Sequence, residues 1–162
     1  MNADLENTDL DRLLPHRPPM QLLSRVLRAD ATSCWAEVDI HPGSRFLRNG
    51  EVPALVGLEY LAQTAAAYFA LHSPAGAGAP RPGKLIACRQ FRSRCTGFAT
   101  NTCLLLGVHL VAGNPDTAGA PGLIKFRGEI TETEKTSDDA GRMPGHPGTA
   151  MPLVVAELSV YL

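Results

Sequence analysis

The chain has 162 residues, 44% of them hydrophobic, which is enough for one domain with its own core and too apolar for a disordered segment. Its 15 Lys and Arg against 16 Asp and Glu leave a net charge of −1, so there is no whole-chain pull towards nucleic acid. The four cysteines (Cys34, Cys88, Cys95 and Cys103) form no Cys-x-x-Cys pair and read as buried or half-buried thiols of a reducing cytosol, not as disulfides or a metal site.

Residues 1–7 are polar and acidic, with no apolar leader stretch. A membrane span needs about 20 apolar residues, and the closest candidate carries an acid in its middle. The expectation is a cytoplasmic chain with no membrane span, folded as one domain over 1–162. Residues 10–14 read as a helical turn stopped by Pro15, and 15–19 as a loop made rigid by the prolines around Arg17. Residues 21–29 and 32–40 read as two strands joined by a short link, an antiparallel hairpin. In the second, Cys34, Ala36, Val38 and Ile40 alternate with Trp35, Glu37 and Asp39, predicting one buried face.

Residues 41–50 form a loop. Pro53 then suits the first turn of a long helix, where its missing N–H costs little. That helix runs to Leu71 and ends in a Gly/Pro/Ala-rich loop, 73–83. Further strands are predicted over 84–94, 103–112 and 123–134. A Gly/Pro/Asp-rich stretch, 136–151, reads as a mobile excursion. A last strand covers 152–161, with Val154, Ala156, Leu158 and Val160 on one face. The predicted class is α+β, an antiparallel sheet wrapped around one helix, whose open edges favour pairing with a second chain.

The long helix holds the residue with the most chemical promise. Nearly everything around Glu59 is apolar or small, so the helix should be buried on all sides. A buried carboxylate either changes its pKa or finds donors. Glu59 is therefore a candidate functional group, against the alternative of a structural carboxylate held by a partner chain. Gln63 follows at i+4 on the same face, where it either orients the acid or satisfies buried backbone.

Two motifs carry a family resemblance. Leu13-Leu-Pro-His-Arg-Pro-Pro-Met-Gln-Leu-Leu-Ser-Arg-Val26 is similar to the opening stretch of the hotdog-fold 3-hydroxyacyl-acyl-carrier-protein dehydratases. Glu59-Tyr-Leu-Ala-Gln63 resembles a turn of their central helix, and Phe91-Arg-Ser-Arg94 is a weaker echo of their basic strand. Residues 52–63 resemble most the dehydratase-like proteins of aryl-polyene and pigment clusters. The resemblance implies a hotdog fold and removal of water from a 3-hydroxyacyl thioester, giving the trans-2-enoyl thioester. It also implies an acyl carrier protein as partner, no cofactor beyond the substrate's phosphopantetheine arm, and a homodimer or a heterodimer with a dehydratase paralogue.

One departure matters. Such dehydratases carry a catalytic histidine in the loop before the helix, and here that place falls within 44–48, at Arg45. A guanidinium stays protonated and cannot be a base. With Glu59 as acid, His16 in its rigid loop is the first candidate for the base, against a loop histidine bonded to backbone, and His41 the second, against a plain turn residue. The others have plainer readings: His72 complements the helix dipole, His109 lies in a strand, and His146 is solvated in its loop. Free N–H groups at the helix start, near Val56 and Gly57, are candidates to bind the thioester oxygen, with Gln63 beside them. Arg45, Arg89, Arg92 and Arg94, with Arg48, Arg81 and Lys84 nearby, form either a solvated face or a docking surface for an acidic carrier. Two other activities compete: a half-catalytic partner subunit of a heterodimeric dehydratase, and a hotdog thioesterase in which Glu59 activates water.

Overall fold

The computed structural model describes residues 3–5, 8–72, 83–113, 122–133 and 151–161. Its elements in chain order are β1 (Ala3–Asp4), α1 (Leu10–Leu13), β2 (Arg25–Ala29), β3 (Ser33–Ile40), β4 (Glu51–Pro53), a 3-10 turn (Ala54–Val56) and α2 (Gly57–His72). They continue as β5 (Lys84–Ser93), β6 (Gly97–Ala99), β7 (Thr102–Ala112), β8 (Leu123–Thr133) and β9 (Val154–Tyr161). A seven-stranded antiparallel sheet runs in the order β1-β2-β3-β7-β8-β9-β5 and curls around α2. β4 and β6 form a separate two-stranded ladder. The predicted mobile excursion, the loop after α2, Arg81 and His146 fall outside the described residues, apart from Gly83 and Met151 at the edges.

The α+β expectation holds, with one helix inside one sheet. The core gathers Leu61, Tyr68 and Phe69 of α2 against Val38, Leu106, Phe126, Ile130 and Leu158 of the sheet. Tyr68 and Phe126 meet edge to face, with ring centroids 5.4 Å apart, and the Tyr68 hydroxyl donates to Ala31 O at 2.8 Å. The polar end of a fully buried ring is thereby satisfied. Segment Ala54–His72 is long and apolar enough to cross a membrane by length and composition, but half of it lies inside the protein as this core helix.

Four local expectations need correction. Residues 21–24 are not strand: the Gln21 N–H bonds back to Arg17 O, and the Leu22 N–H is taken by Gln63 of α2 (below). Pro53 does not open the helix: it ends β4, the 3-10 turn intervenes, and α2 starts at Gly57. The 41–50 loop contains a tight hairpin turn, with reciprocal bonds between Arg48 and Glu51. Asn49 and Gly50 take φ values of 52° and 83° there, the left-handed pair that such a turn requires.

Strand β3 is the fourth case, being buried on both faces. Trp35, expected outward, is only 4% exposed and forms a second small cluster with Leu27 and Leu105 on the outer side of the sheet. It can lie there because residue 107 is glycine: a Cβ at that position would meet the indole at 2.3 Å. Gly107→Ala should therefore cost ~1–3 kcal/mol through overpacking, read as a lower urea midpoint. An unchanged midpoint would show that the indole swings aside freely.

Candidate functional site

The loop before β2 is pinned at both ends. Leu14, after α1, is fully buried and Leu23 is 5% exposed. Between them Arg17 folds back, its guanidinium donating to Leu14 O and to His16 O, each at 2.8 Å. The middle of the loop is held from α2. Gln63, fully buried, donates from Nε2 to Met20 O at 2.7 Å. Its Oε1 accepts the Leu22 N–H at 2.9 Å. These bonds give the Met20 carbonyl and the Leu22 N–H partners outside the sheet; the Ser24 N–H then donates across to Glu37 O at 2.8 Å, and the β2 ladder follows from Arg25.

The same amide reaches the carboxylate. Gln63 Nε2 donates a second bond to Glu59 Oε1 at 2.8 Å. His16, carried by the pinned loop, brings Nε2 to 3.5 Å from that same Oε1. His16 Nδ1 faces inward, buried, with no hydrogen-bond partner. Two residues 43 positions apart in sequence thus form a histidine–carboxylate pair, seated by a glutamine that leaves none of its own polar groups unused. Glu59 is less enclosed than its sequence suggested. Its side chain is 35% exposed and that of His16 31%, because one flank of α2 (Leu58, Glu59, Ala62, Ala66, Ala70) is only half-buried.

The remaining candidates are scattered. Val56 lies half-buried in the 3-10 turn. The Gly57 N–H, expected free for a substrate oxygen, bonds back to Ala54 O inside that turn. Gly57 is itself buried against Ile130 and Phe98, where a Cβ would stand 2.7 Å from Ile130 Cδ1. Burial pushes the Tyr60 phenol up to about 12, so that ring beside Phe98 stays protonated. His41 Nδ1 accepts the Gly43 N–H at 3.1 Å, which fixes its ring in its own turn. His72 Nδ1 contacts Tyr68 O at 2.8 Å, a cap for a helix-end carbonyl. Arg45, where the resemblance implies a histidine, is exposed and lies over Phe46, 5.4 Å from the ring centroid.

Arg89, Arg92 and Arg94 are exposed on and just beyond β5, an edge of the sheet, while Phe91 turns towards the core. The strand that follows pairs with β4, and Ala54 N–H donates to Thr96 O at 2.9 Å. The Arg94 end of β5 is thereby tied to the 3-10 turn that leads into α2 and Glu59.

Sequence reasoning missed a third group. On the outer face Ser33 Oγ sits 3.0 Å from His109 Nδ1. His109 Nε2 lies 3.7 Å from Glu129, and the His109 ring meets Trp35 edge-on at 5.0 Å. The cross-strand register Ser33↔His109 creates it, and pairing of distant strands is not written in either residue's neighbours.

A sheet curled around one helix, with a histidine–carboxylate pair on the helix flank, defines a hotdog-fold protein. Solved structures share the architecture. The dehydratase heterocomplex ApeI:P from Xenorhabdus doucetiae superposes with a TM-score of 0.74 at 23% identity, covering 94% of this chain and 89% of that one. The HP0420 homologue from Helicobacter felis gives 0.59 at 8% identity, covering 94% and 86%. The E. coli PaaI protein from the phenylacetic acid degradation operon gives 0.55 at 8%, covering 85% and 81%. No curated protein matches the chain in sequence. Residues 8–141 match the ApeP-like family, described as ApeP dehydratase. The chain belongs to that family of dehydratases.

Proposed function

We propose that this protein removes water from a 3-hydroxyacyl thioester carried on an acyl carrier protein, yielding the trans-2-enoyl thioester for a growing polyene or fatty acyl chain in the cytoplasm. The observation that carries this reading is the His16–Glu59 pair, 3.5 Å apart and held by Gln63. Dehydration needs a group that takes a proton from C2 and a group that gives one to the departing hydroxyl. Arg45 stands where the resemblance to 3-hydroxyacyl-acyl-carrier-protein dehydratases would place a loop histidine, yet His16, from the loop before β2, meets the carboxylate. The arm of the carrier supplies no chemistry of its own. Membership of a dehydratase family favours loss of water over the thioesterase alternative.

The ApeI:P structure is a heterocomplex, which favours a dehydratase paralogue as partner for this chain too. The half-buried flank of α2 beside Glu59 leaves room for one. The decisive assay incubates the protein, alone and with such a paralogue, with a 3-hydroxyacyl carrier protein and reads the acyl mass. Loss of one water supports the proposal, and release of the free acid would favour the thioesterase. Water loss that needs the paralogue and ignores Glu59→Gln would make this chain a non-catalytic subunit.

The basic end of β5 is the proposed carrier-docking surface, because it is tied to the 3-10 turn that leads into α2. The double variant Arg92→Glu, Arg94→Glu should raise KM for carrier-borne substrate roughly tenfold by placing like charge against an acidic partner. KM for a free pantetheine thioester should stay unchanged. Equal effects on both substrates would remove these arginines from docking.

A further inference from the structure

We infer that Glu59 Oε2 carries both proton transfers of the reaction, and that His16 is a positioning residue acting through Oε1. The inference rests on the dehydration proposed above and assigns the work within the pair. Glu59 Oε1 is already engaged twice, by the Gln63 amide at 2.8 Å and by His16 Nε2 at 3.5 Å. Among the described residues no donor reaches Oε2, and the side chain is 35% exposed. Oε2 is the atom left for substrate.

The histidine has no such atom. Its Nε2 faces a carboxylate oxygen, an acceptor, so the proton of a neutral ring belongs on Nε2. The lone pair then sits on Nδ1, which is buried and partnerless. A doubly protonated ring has no lone pair at all. In neither state does His16 present a basic nitrogen to a substrate, whereas in both its Nε2–H faces Oε1 at 3.5 Å, where its charge or dipole orients the carboxylate.

The step balances on one carboxylate. Oε2 takes the C2 proton as the C2–H bond breaks, and its electron pair becomes the C2–C3 double bond. The C3–O bond breaks, and the departing hydroxyl recovers that proton from Oε2 and leaves as water. A single group serving twice requires both transfers to occur on one face of the acyl chain.

The test compares Glu59→Gln, His16→Ala and His16→Gln in the assembly in which the protein purifies, with a 3-hydroxybutyryl carrier protein as substrate. Glutamine can place an N–H near Oε1 but cannot act as a base. His16→Ala should lower kcat roughly 10–100-fold through a misplaced carboxylate, with KM little changed. His16→Gln should recover kcat to within about tenfold of the unmutated protein, while Glu59→Gln should stay far below both. A His16→Gln protein that folds normally but is as slow as Glu59→Gln would overturn the inference, because the imidazole would then carry a proton that glutamine cannot. Nitrogen NMR of the unmutated protein gives a second readout without mutation: a His16 ring with a bare Nε2 would equally overturn it. If the unmutated assembly forms no enoyl product, the dehydration proposal itself fails, an outcome distinct from loss in the variants alone.

Discussion

Glu59→Gln should lower dehydration turnover by roughly 10²–10⁴-fold, the usual worth of a positioned acid–base group, while the protein folds as before. The amide is nearly isosteric, and its carbonyl oxygen can still accept the Gln63 bond that Glu59 Oε1 accepts at 2.8 Å. The seat survives and only the capacity to carry a proton is lost. KM should change little, because the acid is needed mainly in the transition state. Steady-state kinetics with a carrier-borne substrate and a thermal melt check the two halves of the claim. A variant with full turnover would mean that Glu59 is the structural carboxylate the sequence also allowed.

Gln63→Ala should harm fold and chemistry together. Gln63 is fully buried, and its removal leaves the Leu22 N–H and the Met20 carbonyl without the partners they have at 2.9 and 2.7 Å. Each group orphaned away from water costs ~1–3 kcal/mol; both are only part-buried, so a loss of about 2–4 kcal/mol in unfolding free energy is expected, set by how far water reaches the gap. The loop that carries His16 loosens and Glu59 loses its shortest contact, so turnover should fall by roughly 10²-fold as well. Chemical denaturation and kinetics on one preparation measure both. A stable Gln63→Ala protein with low activity would restrict the glutamine to orienting the acid; a destabilised but active one would restrict it to the backbone.

The parts of the fold written in local pattern could be read from the chain. Val154, Ala156, Leu158 and Val160 alternate, and all four are buried in β9. Three further strands likewise lie close to their predicted bounds, as does the C-terminal end of the apolar helix. The pairings β1–β2 and β4–β6 escaped, because stretches of two or three residues carry no period. The Asn49-Gly50 dipeptide was nevertheless a legible hairpin signal. Residues 21–24 run straight into β2 in sequence, but the Leu22 N–H goes to the Gln63 side chain of α2, a competition no local window can see. Trp35 looked outward by alternation and is buried because Gly107, on a different strand, makes room for it.

The site divides in the same way. Glu59 and Gln63 were legible as i and i+4 on one apolar helix, and His16 as a titratable group in a Pro-bound loop. Their meeting was not, because it depends on Gln63 holding Met20 and Leu22 in place. The openness of Glu59 was also hidden, since apolar sequence on every side of α2 does not reveal that its Ala62, Ala66 and Ala70 flank stays half-buried.

The central claim is that this chain moves a proton at C2 of an acyl thioester through Glu59. Running the reaction backwards in deuterated water tests it most directly. The assembly is incubated with an enoyl carrier protein, and the hydrated product is read by mass spectrometry. One deuterium should be fixed at C2 of the 3-hydroxyacyl product, and none when Glu59→Gln replaces the unmutated chain. Deuterium appearing equally with both proteins would contradict it, because the proton would then come from a group outside this site.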